Sequence, residues 1–258
     1  MTVKFNSNFC HIFKLAPVAA LLATSVLATQ AFAAEAEVDV MGKGNTQLEF
    51  KLAHSKDKSN NYKETSTPFL ARIGVTETIE IRVAADGYIK STVLGETTRG
   101  MGDTNLGVRW RLQESDEKTG QTGMALQLEQ GLPTGARAFK SDGGSTALKY
   151  TAAWALPNDM SLGVQPGLLR VKNEAGRWYV APSVSVTFPK SWTPQFRTVA
   201  ELIAPQLTSL GNGGNQIFAA LGATYSLNDM FELEVFYARS LNSNAPANNL
   251  AAGVNVKF

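Results

Sequence analysis

Charged and amide side chains recur in this sequence at a spacing of two. Glu49 and Lys51, Glu80 and Arg82, Arg109 and Arg111, Gln127 and Glu129, and Glu232 and Glu234 form such pairs. Arg72, Lys149, Arg197, Glu201 and Lys257 sit in similar runs. On an extended chain, residues i and i+2 point to the same face. Each pair therefore presents its polar groups to one side of a strand. The residues between them (Phe50, Ile81, Trp110, Leu128 and Leu233) face the other side. Acids and bases mixed in this way can do one of two things inside a closed sheet. They can line an eyelet that orients a permeating solute, or they can pair with one another and fill the bore. Bore grows with strand number, from filled at eight strands to a wide aqueous channel at sixteen or more.

Catalytic chemistry finds little support. Serine hydrolases need a histidine base beside the nucleophile. Outside the N-terminal leader described below, the only histidine is His54. It continues the outward series Leu48, Phe50, Leu52 and reads as a polar border residue at a rim. Asp86 and Asp103 flank one loop, but spacing alone does not bring them together. Gly102-Asp103 lacks further carboxylates at ligand spacing, and is expected to turn the chain back into a strand. Cys10 lies in the leader, so thiolate catalysis, zinc–cysteine sites and iron–sulfur clusters fall away. No enzyme activity, metal or cofactor is expected.

Residues 1–33 read as a secretory signal peptide. Lys4 and Lys14 open it, an apolar run follows from Leu15 to Ala28, and Ala31-Phe32-Ala33 supplies small residues for cleavage before Ala34. Without Lys4 and Lys14, the 22 acidic residues are balanced by an equal number of bases. A neutral chain with no basic stripe is a poor nucleic-acid ligand. No later stretch approaches the ~20 apolar residues of a membrane helix.

The remainder reads as strands. Period-two alternation runs through 47–52, 79–84, 106–112, 124–129, 148–154, 180–188, 231–237 and 250–258. Weaker runs near 66–75, 160–170, 193–204 and 216–227 bring the expected count to twelve, with ten or fourteen as alternatives. Connections alternate in length. Short ones are expected at 76–78, 114–121, 157–159, 189–191 and 228–230. Longer polar loops are expected near 55–65, 87–101, 134–145, 171–176, 205–215 and 242–248. Short turns on one rim and long loops on the other are the asymmetry of an outer-membrane barrel. The organisation expected is a signal peptide over 1–33, a short periplasmic segment over 34–44 and an all-β, closed antiparallel transmembrane barrel over 45–258.

Aromatics fall near proposed strand ends, at Trp154, Trp178, Trp192, Tyr225, Phe231 and Phe258, as interfacial girdles require. Pro68, Pro166, Pro182 and Pro194 fall inside proposed strands, so bulges or interrupted pairing are expected there. A turn at Thr76–Thr78 sets Arg72 opposite Arg82, with Glu80 diagonal to Arg72. Two opposed guanidinium groups need an acid between them, and Glu80 or Glu49 can supply it.

Two segments carry a family likeness. Residues 70–82 (LARIGVTETIEIR) read as a strand, tight turn and strand. Residues 100–112 (GMGDTNLGVRWRL) are followed by Gly131-Leu132-Pro133-Thr134-Gly135. Together they resemble an outer-membrane transporter family named for the meta-cleavage pathway of phenol degradation, over about residues 66–136. The resemblance implies an outer-membrane barrel that passes aromatic or other hydrophobic compounds. Gly253, Val256 and Phe258 resemble the terminal signal read by the barrel-assembly machinery, with Ala251 departing from the usual polar residue. The partners expected are therefore outer-membrane lipids, that machinery and a small-molecule solute. The alternatives are a plugged structural or adhesive barrel and a soluble periplasmic β-protein.

Overall fold

A computed structural model describes residues 38–57, 61–173 and 175–258. The expected signal peptide lies outside the described residues. The chain forms β1 (Thr46–Asp57), β2 (Tyr62–Ser66), β3 (Phe69–Gly74), β4 (Ile79–Ala85), β5 (Tyr88–Val93), β6 (Glu96–Met101), β7 (Thr104–Gln113) and β8 (Gly123–Leu132). It continues with β9 (Ser145–Leu156), β10 (Met160–Lys172), β11 (Trp178–Ser191), β12 (Phe196–Gln206), β13 (Gln216–Ser226), β14 (Phe231–Ser240) and β15 (Asn248–Lys257). All pairings between these strands are antiparallel, and β15 returns to β1 to close the sheet. Twelve strands make the barrel: β1, β3, β4 and β7 to β15. At the seam Thr46 and Phe258 exchange both backbone hydrogen bonds. Both ends of the barrel wall therefore lie on the rim of short turns.

The alternation of side chains decides which face is which. Leu52, Val108, Leu128, Leu168, Val180, Leu202, Leu221 and Leu250 are all exposed, although each lies mid-strand. Charged and amide groups on the alternate positions, among them Glu49, Glu80, Arg82, Arg109 and Gln127, are buried. A sheet with its apolar face outward and its polar face inward suits hydrocarbon outside, where every backbone group must pair within the wall.

Three short strands correct the expected loops. Residues 55–57, 62–65, 88–93 and 96–101 lie in strands. β1 runs on to Asp57 and pairs with β2, β2 pairs with β5, and β5 pairs with β6. These strands raise one wall of the barrel beyond the apolar band. Apart from Tyr88 and Met101 at their lower ends, their outward side chains are polar, so the oily alternation that marks a spanning strand is missing while the ladder persists. A second correction concerns 189–191. β11 continues through Pro189 and Lys190, which pair with Val199 and Thr198, and the turn falls at 192–195. Pro194 is thus a turn residue.

The other prolines disturb pairing as their missing N–H requires. Pro68 separates β2 from β3. At Pro166 the ladder to β9 lapses between Val164 and Gly167 and resumes in the same register. Pro182 lies beyond the end of the β11–β12 ladder. The turn at 157–159 is a three-residue loop between the paired Leu156 and Met160, and Asn158 and Asp159 both take positive φ, a conformation these residue types tolerate.

Candidate functional site

The lumen gathers the charged pairs into linked clusters. Arg72 on β3 and Arg82 on β4 are directly opposed. Glu80, fully buried, joins them. Its carboxylate accepts from Arg72 Nε at 3.1 Å and from Arg72 Nη2 at 3.0 Å, and from Arg82 Nη1 at 3.3 Å. The fork of one guanidinium thus meets both oxygens, the strong geometry for such a pair. On the next wall Arg109 Nε donates to Gln127 at 2.6 Å, and Gln127 in turn donates to Glu129. Lys149 lies 3.1 Å from Glu129.

Glycine makes room for the longest of these links. Lys51 on β1 and Glu234 on β14 are both register partners of Gly253 on the strand between them. With no side chain at Gly253, Lys51 Nζ reaches Glu234 across it at 2.6 Å. Lys51 is also 3.6 Å from Glu49. A Cβ at Gly253 would lie 2.8 Å from Lys51 Cγ. Gly107 sits in the same way between Arg82 and Glu129. In the sequence Gly253 belongs to the pattern resembling the terminal assembly signal; in the lumen its structural role is the gap. Inward-phase glycines within an alternating strand were the available signal.

Residues 38–42 enter the lumen at the rim of short turns. Val38 packs against the inward side chains Ala125 and Ala153. Met41 N–H donates to Glu80 at 2.8 Å, and Arg72 donates to the Asp39 carbonyl at 3.1 Å. Gly74 permits this close approach, since a Cβ there would lie 2.0 Å from the Gly42 carbonyl oxygen. Nothing in the pattern of this segment marked it as lumenal.

Two cavities meet at the charged clusters. The vestibule on the short-turn side has a volume of about 400 Å³ and is lined by Asp39, Arg72, Arg109, Arg197, Glu232 and Lys257 among others. The recess toward the long-loop side is smaller, about 60 Å³, with Pro68, Leu70 and Ala84 beside Lys51, Asp86 and Glu129. Glu49 and Arg82 line both. They are the boundary between a mainly polar chamber and a mainly apolar one.

The remaining expected positions divide. Glu232 is held by Asn255 Nδ2 at 3.0 Å, and Glu234 by the same nitrogen at 3.3 Å. Arg197 lines the vestibule on the far wall. Arg111 sits at the mouth, bound to Glu114 at 2.7 Å and to the Glu77 carbonyl. Glu201 faces inward but is buried at a level between Thr187 and Ala220, away from both cavities. Beside it an apolar cluster of Val199, Ile203, Phe218 and Phe236 fills part of the bore. Val256 and Phe258 point outward, and Phe258 is exposed.

Asp103 is buried and accepts from the N–H groups of Gly135 (2.7 Å) and Ser141 (2.8 Å), so it fastens a loop. Asp86 and Asp103 meet through a backbone hydrogen bond. His54 is exposed, with Nδ1 3.1 Å from Thr65 Oγ1. Among the described residues, no group of three or more histidine, cysteine, aspartate or glutamate side chains is placed to hold a metal ion.

A family profile described as "Putative MetA-pathway of phenol degradation" matches residues 28–258. No curated protein matches the sequence significantly. Among solved structures, an outer membrane channel from Pseudomonas putida F1 superposes with a TM-score of 0.65 at 13% identity, over 86% of this chain and 98% of the other. The KdgM porin, solved with disordered oligogalacturonate, gives 0.56 at 7% identity, over 81% and 99%. The NanC porin gives 0.55 at 11% identity, over 81% and 100%. At such identities the likeness is one of fold.

Proposed function

Because this chain belongs to that MetA-pathway family and folds as a closed twelve-stranded barrel, we propose that it is an outer-membrane channel for passive passage of small solutes. One observation carries this reading: two cavities share Glu49 and Arg82 as a common boundary. A solute with an apolar or aromatic body fits the recess beside Leu70 and Ala84. Its polar end is then steered by Arg82 and Lys51 toward the vestibule. No step requires a nucleophile, a base or a metal.

The solved neighbours named above are an outer membrane channel and two porins, which supports placing this barrel in the outer membrane. The signal peptide would be removed near Ala33. Gly253, Val256 and Phe258 would be read by the assembly machinery before the strands close.

Reversal potentials in planar bilayers test the reading. Benzoate should permeate better than gluconate, because only benzoate carries an apolar body into the recess. Equal permeation, or preference for gluconate, would contradict it. A second reading, a lumen plugged for structural use, is favoured by the Ile203–Phe218–Phe236 cluster and by the inserted segment 38–42. Absence of any current would select it.

A further inference from the structure

Charge is segregated across the raised wall. The inward positions of β1, β2 and the β4–β5 connection carry Asp57, Glu64 and Asp86, all buried. The outward positions of the same wall carry cations in two register rows. One row runs Arg239, Asn248, Lys56, Lys63, Thr92, Thr97 over β14, β15, β1, β2, β5 and β6. The other runs Tyr237, Leu250, His54, Thr65, Lys90, Arg99 over the same strands. No acidic residue occupies an outward position in either row.

Two of the direct cross-strand pairs are cation against cation, Lys56 with Lys63 and Lys90 with Arg99. Like charges directly opposite destabilise a sheet. Inside the lumen the same situation, Arg72 against Arg82, is resolved by Glu80. Elsewhere on the loop side of the wall, Lys172 is met by Asp142 at 3.3 Å. Among the described residues, no carboxylate pairs with Lys56, Lys63, Lys90, Arg99 or Arg239. One strand step below the second row lie Leu52, Tyr88 and Met101, all exposed. Two residues along a strand span about 6.6–6.8 Å. The cations therefore border the apolar band directly, at the height where headgroups meet acyl chains. Thr65, Thr92 and Thr97 add hydroxyl groups between them.

We infer that this face of β1, β2, β5 and β6 is a binding site for the phosphate groups of an outer-leaflet glycolipid, which supplies the anion that the wall lacks. The inference rests on the outer-membrane reading above, and is separate from what passes through the bore. Phosphate oxygens lie against Lys63, Lys90 and Arg99, while the acyl chains run down over Leu52, Tyr88 and Met101. Arginine and lysine serve here as phosphate ligands on a flat sheet, with charge-assisted hydrogen bonds as the source of affinity.

Native mass spectrometry of the detergent-purified barrel with added lipid A, the diphosphorylated glucosamine-disaccharide lipid, tests this. The folded barrel should retain lipid A, and the variant Lys63→Gln/Lys90→Gln/Arg99→Gln should bind it at least tenfold more weakly. Arg99→Gln alone, on the terminal strand β6, should weaken binding severalfold and keeps the test valid if the triple variant does not fold. Dephosphorylated lipid A should bind poorly, and pyrophosphate should not displace the intact lipid at equal concentration. Equal retention by the variants, or equal binding of the dephosphorylated lipid, would overturn the site. Full displacement by pyrophosphate would overturn the lipid as its source. Single-channel conductance of Arg99→Gln should match the parent, so failure of this site and failure of the channel reading are read separately.

Discussion

Arg72 and Arg82 stand directly opposite one another across the β3–β4 hairpin, and Glu80 binds both. The hairpin turn fixes this register. Thr76 Oγ1 accepts from the N–H groups of Thr78 and Ile79, at 3.2 and 2.9 Å, and so closes the turn. Two repelling cations become a compact cluster, because Glu80 Oε1 accepts from both arginines while Oε2 accepts from Arg72 and from Met41 N–H. The cluster also ties segment 38–42 to the wall.

Removing the acid should cost more than removing either base. Glu80→Gln leaves two guanidinium groups opposed, and loss of one member of a buried charge cluster costs about 3–5 kcal/mol. A second change, Arg72→Met, should restore part of the loss. Urea unfolding of the barrel in detergent, followed by Trp fluorescence, measures both. A Glu80→Gln variant as stable as the parent would show that the cluster is solvated and weak.

Val108 points outward between Ile81 and Leu128. Val108→Arg near the middle of the hydrocarbon should destabilise the folded barrel by ~2–4 kcal/mol. Folding titrations in lipid vesicles report this directly. Unchanged stability would place the β7 outer face in water.

Segment 38–42 narrows the vestibule. A chain trimmed to begin at Gly42 loses the Val38 contact and the Asp39 carbonyl that Arg72 uses. Its unitary conductance should rise above that of the parent. The same conductance from both chains would show that the segment leaves the lumen when current flows.

Arg82 borders both cavities, so it should set ion preference. Two unit charges 4 Å apart interact by about 1 kcal/mol in water, and Arg82→Ala should therefore shift the potassium-to-chloride permeability ratio about fivefold toward the cation. Reversal potentials in a salt gradient give the ratio. A ratio that does not move would remove Arg82 from the path.

Much of this architecture was legible from residue order. Glu49, Arg82, Arg109 and Glu129 face inward because each alternates with a large apolar residue, and period two admits no other reading. The Arg72–Arg82 opposition followed from the length of the Thr76–Thr78 turn. What stayed hidden had a physical cause in each case. Above Tyr88 and Met101 the outward positions of β2, β5 and β6 are Lys, Thr and Arg, since that part of the wall rises past the apolar band, and polar alternation carries no strand signal. Leu202-Ile203-Ala204 and Ile217-Phe218-Ala219 are apolar on both faces, so the inward Ile203 and Phe218 left no mark. Gly253 and Gly107 act by what they lack, and pattern reading weighs side chains rather than gaps. Val38 joins the lumen through a partner, Ala125, that is far away in sequence.

Single-channel recording of the refolded chain beginning at Ala34 bears most directly on the channel reading, provided that only heat-modifiable, folded barrel is used. Discrete, reproducible current steps, smaller than those of wide aqueous porins and altered by Arg82→Ala, are the predicted result. Silence from fully folded barrel, persisting in the chain that begins at Gly42, would contradict it.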